Sequence, residues 1–199
     1  MNKVIAISGF PGSGKSSLSL ELSERISGVF LQYDHYQTIT ERPVHEVSSW
    51  MQDGADYNDF VIPKLAEDIC KLKQGESISE AGSNRVLNSA DYILFETPLG
   101  REHQESGQYI DVLVWIEVPL DVALARNLKS FNNIFLSHEH LQQLKDDLGW
   151  MDMYLANYLE HVRSMLISQR EKLINSADII LDGETTLDSM TSDLMKVLS

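Results

Sequence analysis

The 199-residue chain contains 43% hydrophobic and 23% charged residues, a composition typical of one globular domain, predicted here to span residues 1–199. Thirty acidic and sixteen basic residues give a net charge of −14, which disfavours binding to nucleic acid or to an anionic membrane. Neither a signal-peptide pattern nor a run of about eighteen apolar residues occurs, so we expect a cytoplasmic protein whose partner is a small molecule.

Short apolar or β-branched runs alternate with longer segments of helical period along the chain. This alternation is typical of a parallel sheet that is covered by helices. The sequence therefore predicts an α/β fold with three layers, in which a five-stranded parallel sheet is flanked by helices. The predicted strands are residues 3–8, 29–33, 92–97, 111–117 and 178–182.

Apolar residues spaced by three or four positions mark the intervening helices. Leu18, Leu22 and Ile26 form the face of a first helix, and residues 62–72 carry the same pattern. A longer apolar stripe runs from residue 141 to residue 165. We interpret this stripe as a core-packing face, with the seam of a homodimer as the alternative.

The segment "GFPGSGKS" at residues 9–16 matches the Walker A pattern and lies between a predicted buried strand and a helix start. Its glycines allow backbone N–H groups to turn toward phosphates, and the start of the helix favours an anion. Lys15 is predicted to contact the β and γ phosphates of ATP, and the Ser16 hydroxyl to ligate Mg²⁺. The predicted nucleotide-binding residues are Gly9, Pro11, Gly12, Ser13, Gly14, Lys15, Ser16 and Ser17.

Two carboxylates follow predicted strands. Asp34 directly follows the predicted strand in "VFLQYDHY" at residues 29–36, and Glu96 ends the apolar run in "DYILFETP". Ligands of an open parallel sheet gather at the carboxyl ends of its strands, so both groups are expected beside the phosphates. A carboxylate placed there can hold Mg²⁺ or accept the proton of an attacking hydroxyl, whereas the alternative is that each only caps a turn.

The order of these motifs resembles the uridine kinase and phosphoribulokinase-like branch of the P-loop kinases. The resemblance covers most of the chain and includes the phosphate loop, "YDHY" at residues 33–36, "DGADYNDFVIPKLAEDICKLKQGESI" at 53–78, "YILFET" at 92–97, "DVLVWIEVPLDVALARNL" at 111–128 and "INSADIIL" at 174–181. It implies a P-loop NTPase fold with a small lid, at about residues 127–150, that carries arginines.

The resemblance also implies roles for individual residues. Asp34 would accept the hydroxyl proton, Glu96 would lie near Mg²⁺, and Arg126 would reach the phosphates from the edge of the lid. The predicted acceptor-binding residues are Asp34, Tyr36, Asp53, Asp56, Arg85 and Arg101. Two departures stand out: "SISEAGSNRV" replaces the nucleoside-binding segment and leaves Arg85 as its counterpart, and residues 130–144 contain no lysine or arginine.

The sequence therefore predicts transfer of a phosphoryl group from ATP to a hydroxyl of a small molecule, with Lys15, Asp34 and Arg126 as catalytic residues and Ser16 and Glu96 as ligands of Mg²⁺. The acceptor could be a nucleoside, a sugar or a vitamin-like alcohol. The alternative function is an ATP-binding regulator, or a P-loop NTPase without a small-molecule acceptor.

Overall fold

A computed structural model describes residues 2–36, 46–47, 49–50, 53–54, 56–83 and 85–198. Its centre is a five-stranded parallel sheet with the strand order β2-β5-β1-β6-β7, and a short antiparallel hairpin joins β3 to β4. The strands are β1 (Lys3–Gly9), β2 (Val29–Leu31), β3 (Ile78–Ser79), β4 (Val86–Leu87), β5 (Tyr92–Glu96), β6 (Val112–Glu117) and β7 (Ile179–Asp182). The five predicted strands of the sheet are confirmed.

Each strand boundary lies within two residues of the prediction, and the largest difference is at the end of the second strand. The second strand ends at Leu31 rather than at residue 33, because Tyr33–His35 form a single 3-10 helical turn. Asp34 therefore lies on a turn, three residues after the last residue of the strand rather than directly after it.

Helices cover both faces of the sheet and make the predicted three layers. The described helices are α1 (Lys15–Arg25), α2 (Pro63–Lys73), α3 (Gln104–Gly107), α4 (Leu120–Phe135), α5 (Leu141–Asn157), α6 (Arg163–Leu173) and α7 (Leu187–Leu198). On one face, Leu18 of α1 and Leu194 of α7 pack against Ile7 in a buried cluster. On the other face, residues of α2, α4 and α6 pack against β1, β5 and β6. None of the helices among the described residues is long and apolar enough to cross a membrane.

The long apolar stripe is only partly explained by core packing. A π-helical turn, Tyr158–Val162, joins α5 to α6, so helical structure is continuous from residue 141 to residue 173. Tyr158 is buried, but α5 itself has no buried residue, and Leu141 and Leu148 are exposed. The interpretation as a core-packing face is therefore wrong for α5, and the homodimer seam stays a prediction.

Candidate active site

The loop between β1 and α1 has the backbone that binding of a phosphate requires. Gly12 has a φ of 81°, and a Cβ there would lie 2.2 Å from the carbonyl oxygen of Ala123, so no other residue fits. Gly14 caps α1 with a φ of 101°, and the space beside it is open. The first turn of α1 contains no acidic residue, so its free N–H groups can receive an anion.

Lys15 lies over the same loop. Its Nζ donates a hydrogen bond to the carbonyl oxygen of Phe10 at 3.0 Å. Burial lowers the pKa of Lys15, while the charges of Glu96 and Asp34 act in the opposite direction. These interactions place an ammonium group between the loop and two carboxylates, where a polyphosphate would offer it a stronger partner.

Ser16, in the first turn of α1, pairs with Glu96 at the end of β5. The residue opposite Glu96 on β1 is Ile7, so the end of β5 lies beside the phosphate loop. The Ser16 hydroxyl donates a hydrogen bond to Glu96 Oε2 at 2.7 Å. Burial raises the pKa of Glu96, and the hydrogen bond from Ser16 and the charge of Lys15 oppose that rise.

The donor atoms of this pair fit Mg²⁺. Magnesium prefers one or two protein oxygens and takes its other ligands from water and substrate phosphates. Ser16 supplies a hydroxyl and Glu96 a carboxylate at the mouth of the loop. No cluster of three or more His, Cys, Asp or Glu side chains that would suit a fully protein-coordinated metal occurs among the described residues.

Asp34 completes this group of side chains. It lies exposed on the turn after β2, and its charge interacts with both Lys15 and Glu96. Strand β2 pairs with β5, and β5 pairs with β1, so the three segments end at one edge of the sheet. The structure thus brings together Lys15, Ser16, Asp34 and Glu96.

Two buried carboxylates behind Asp34 were missed by the sequence analysis. The Tyr36 hydroxyl donates a hydrogen bond to Asp68 Oδ2 at 3.0 Å, and Lys64 pairs with the other oxygen at 2.6 Å. Burial, together with the charge of Asp68, raises the pKa of Tyr36. Glu80, in the turn of the β3–β4 hairpin, accepts hydrogen bonds from the backbone N–H of Gln32 at 3.2 Å and from Ser83 at 2.8 Å.

Three of the remaining predicted residues line cavities. Arg85 lines a cavity of about 510 Å³ together with Ser16 and Ser17. Asp53 and Asp56 line a separate open cavity of about 350 Å³.

Arg101 does not join the phosphate loop. It donates to Ser176 O at 2.7 Å and to Asp178 Oδ2 at 2.6 Å. Asp178 precedes β7 and also accepts a hydrogen bond from the N–H of Leu113 near the start of β6, so Arg101 lies at the amino edge of the sheet. The carboxyl edge, which holds the loop, is the opposite one.

Arg126 of α4 lies at the carboxyl edge. Its Nη1 donates to the carbonyl oxygen of Gly183, which follows β7, at 2.7 Å. Glu117, at the end of β6, pairs instead with Arg170 of α6, with an Nε–Oε1 distance of 2.8 Å. Arg126 of α4 and Arg170 of α6 are therefore both held at this edge.

The predicted lid, at about residues 127–150, lies within an antiparallel pair formed by α4 and α5. Aromatic side chains hold the pair together: Phe131 meets Trp150 edge to face at 4.9 Å, and Trp150 stacks on Tyr154 at 5.3 Å between ring centroids. Asn127 donates a hydrogen bond to the Tyr154 hydroxyl at 2.9 Å. Contacts between aromatic rings therefore join the two helices, although no residue of α5 is buried.

Comparisons with solved structures show the same architecture in small-molecule kinases. A sugar kinase from Janibacter sp. HTCC2649 is 15% identical, with 100% of this chain and 95% of that chain covered and a TM-score of 0.55. A protein assigned as a fructose transport system kinase in Silicibacter sp. TM1040 is 17% identical, with coverages of 90% and 89% and a TM-score of 0.53. A gluconokinase from Sinorhizobium meliloti 1021 is 16% identical, with coverages of 98% and 95% and a TM-score of 0.50.

These similarities show the fold, a three-layer α/β P-loop architecture, and they do not confirm the uridine kinase-like family. No protein-family model matches the chain, and no curated protein matches it significantly.

Proposed function

We propose that the protein transfers the γ-phosphoryl group of ATP to a hydroxyl of a small molecule. The observation that carries this proposal is the convergence of Lys15, Ser16, Asp34 and Glu96 at the end of one parallel sheet. A phosphate loop alone would serve any nucleotide-binding protein. A second carboxylate beside the loop, on a solvent-exposed turn, is the feature that a hydroxyl acceptor requires.

Each of these residues has a distinct role in the proposed reaction. Lys15 and the loop N–H groups hold the phosphates, and Ser16 and Glu96 hold Mg²⁺, which supplies charge neutralisation when it is bound. Asp34 accepts the proton as the acceptor oxygen forms its bond to phosphorus and the bond from phosphorus to the ADP oxygen breaks. Arg126 supplies a further positive charge at the lid edge.

An ATP-binding regulator without an acceptor is the second candidate. It is favoured by two observations: residues 130–144 contain no lysine or arginine, and aromatic rings rather than cations join the two helices at the predicted lid. A cation that contacts the transferred group contributes about 10³-fold or more to the rate of such reactions.

Turnover assays separate these candidates. Purified protein is incubated with ATP and Mg²⁺ alone, and then with pooled nucleosides, sugars and vitamin-like alcohols, while ADP and phosphorylated products are followed by mass spectrometry. We expect product only in the presence of an acceptor. ADP release without an acceptor would indicate an NTPase, and ATP binding without any turnover would indicate the regulator.

Two substitutions test the assignment of roles. Lys15→Ala should weaken MgATP binding at least tenfold, because the loop loses its only side-chain cation. Asp34→Asn should bind MgATP within about threefold of the unmodified protein and lose about 10²-fold or more in kcat. Calorimetry gives the first quantity and initial rates give the second.

Asp91→Asn is the matched control, because Asp91 is an exposed aspartate at the opposite end of β5. If Asp34→Asn transfers phosphoryl groups as fast as Asp91→Asn, then Asp34 is not the base, and Glu96 becomes the better candidate.

A further inference from the structure

A small apolar pocket lies just beyond the strand that carries Glu96. The pocket has a volume of about 100 Å³, and Pro98, two residues after Glu96, forms part of its wall. Helix α6 contributes Met165 and Gln169 to the opposite wall. The position is the carboxyl edge of the sheet, where the phosphate loop also lies.

Three aromatic residues, Trp50, Tyr57 and Phe60, also line the pocket, and their rings contact one another. The Trp50 ring stacks on Tyr57 at 5.6 Å and meets Phe60 edge to face at 4.7 Å. The Trp50 indole N–H donates to Asp59 Oδ2 at 3.0 Å, so its polar atom is already paired. The buried ring of His103 holds the carbonyl of Phe60 at 2.8 Å. The aromatic surface is therefore preorganised for an apolar ligand.

Gln169 adds one polar atom to this apolar surface. Its Nε2 donates to the carbonyl oxygen of Pro98 at 2.7 Å, which fixes the orientation of the amide. Its Oε1 is buried and has no hydrogen-bond partner among the residues that the structure describes. A buried acceptor without a donor is costly and uncommon in folded proteins. A bound N–H or O–H group would remove that cost.

We propose that this pocket binds a planar apolar ring of the phosphoryl acceptor, and that Gln169 Oε1 accepts a hydrogen bond from a donor on that ring. The assignment of the ligand as the acceptor rests on the proposed function. A volume of about 100 Å³ leaves room for no more than a single ring, since benzene binds in a cavity of about 150 Å³. A plain polyol is disfavoured, because the aromatic wall would leave its hydroxyls unpaired.

Binding of simple alcohols tests the pocket without ATP. Three probes are titrated by ligand-observed saturation-transfer NMR: 4-hydroxybenzyl alcohol, benzyl alcohol and myo-inositol. We expect 4-hydroxybenzyl alcohol to bind about tenfold more tightly than benzyl alcohol, because its phenol can donate to Gln169. We expect myo-inositol not to bind at the same concentrations.

Two variants locate the binding site. Gln169→Leu should reduce the affinity ratio of the two aromatic alcohols to about one, since the acceptor oxygen is gone while the apolar volume is kept. Met165→Trp should fill the pocket and abolish binding of both alcohols. The matched control is Ser168→Trp, because Ser168 is exposed on the same helix. If Met165→Trp does not fold, the affinity ratio in Gln169→Leu decides the question.

An affinity ratio near one in the unmodified protein, or an unchanged ratio in Gln169→Leu, overturns the proposal. Failure of the proposed function has a different signature. If the aromatic alcohols bind as expected but no alcohol is ever phosphorylated, the proposed ring-binding pocket is supported and the proposed kinase function is wrong. If a polyol is phosphorylated and neither aromatic alcohol binds, the proposed kinase function is supported and the proposed ring-binding pocket is wrong.

Discussion

At the scale of one residue, the buried carboxylate of Glu96 lowers the stability of the folded protein at neutral pH, although the proposed reaction requires it. Its side chain is buried, and burial raises its pKa above the ordinary value of 4.5. Between the ordinary and the raised pKa, the folded protein keeps a proton that the unfolded chain releases, so the stability contributed by this group falls as pH rises through that window. At neutral pH, the ionised carboxylate is therefore a destabilising feature without a metal ion.

The substitution Glu96→Gln tests whether this carboxylate lowers folding stability while supporting turnover. At neutral pH and without nucleotide, we expect the variant to melt about 2–4 °C higher, which corresponds to about 1 kcal/mol in a chain of this size. The difference should vanish below about pH 4.5, where the native carboxyl group is protonated as well. Turnover with Mg²⁺ and ATP should fall by about 10²-fold. Thermal unfolding across pH, together with initial rates, gives these quantities.

Glu24→Gln is the control for this prediction, because Glu24 is an exposed glutamate on α1. It should change neither the melting temperature nor the rate. A lower melting temperature for Glu96→Gln at neutral pH would show that attraction to Lys15 outweighs the cost of burying the charge.

At the scale of elements, the β3–β4 hairpin supports the turn that carries Asp34. The Glu80 side chain is fully buried, and it accepts hydrogen bonds from Gln32, just before that turn, and from Ser83 within the hairpin. His35 Nδ1 lies 3.3 Å from the same carboxylate. One buried carboxylate therefore ties the hairpin to the segment that holds the proposed base.

Glu80→Ala should weaken both elements together. The N–H of Gln32 and the hydroxyl of Ser83 lose their acceptor, which should cost about 1–3 kcal/mol in the free energy of unfolding. The kcat should fall further than the affinity for ATP, because Asp34 is displaced while the phosphate loop stays intact. Urea unfolding and steady-state kinetics measure the two effects, and Glu76→Ala, an exposed site before the hairpin, is the control. Loss of stability with an unchanged kcat would show that Glu80 stabilises the hairpin but does not position Asp34.

The parts of this protein that local patterns encode were predictable from the sequence. The strands are short apolar runs buried in a covered sheet, and the phosphate loop requires glycines at fixed positions, so both leave clear signals. Asp68 also had a signal, because it follows Leu65 by three residues and precedes Leu72 by four on the buried face of α2. A carboxylate at such a position requires a partner, which Tyr36 and Lys64 supply.

Other features depend on contacts that no local pattern encodes. Glu80 meets Gln32 across 48 positions of sequence, and Gln169 meets Pro98 across 71 positions. The segment around Glu80 reads as an ordinary polar loop, and its burial follows only from docking of the hairpin on the turn. The prediction that the stripe on α5 packs against the core was wrong for a different reason. A helical period shows that one face of a helix is apolar, but it does not show whether another element covers that face.

At the scale of the whole molecule, the net charge of −14 opposes the compact state. The ion pairs at the surface offset little of this repulsion, because an exposed pair such as Lys196 with Asp193 contributes about 0–1 kcal/mol. Chloride salts should screen the repulsion between like charges, since the Debye length falls to about 10 Å at 0.1 M.

We therefore expect the melting temperature at pH 7.5 to rise by about 2–5 °C between 0.02 and 0.3 M NaCl, and to be insensitive to salt near the isoelectric point of about 4.7. Sodium and potassium chloride should act equally, because screening depends on ionic strength alone. Sulfate is unsuitable, since an anion bound at the start of α1 would stabilise the protein by mass action. A melting temperature that falls with NaCl at pH 7.5 would show that partly buried pairs, such as Arg170 with Glu117, outweigh the overall repulsion.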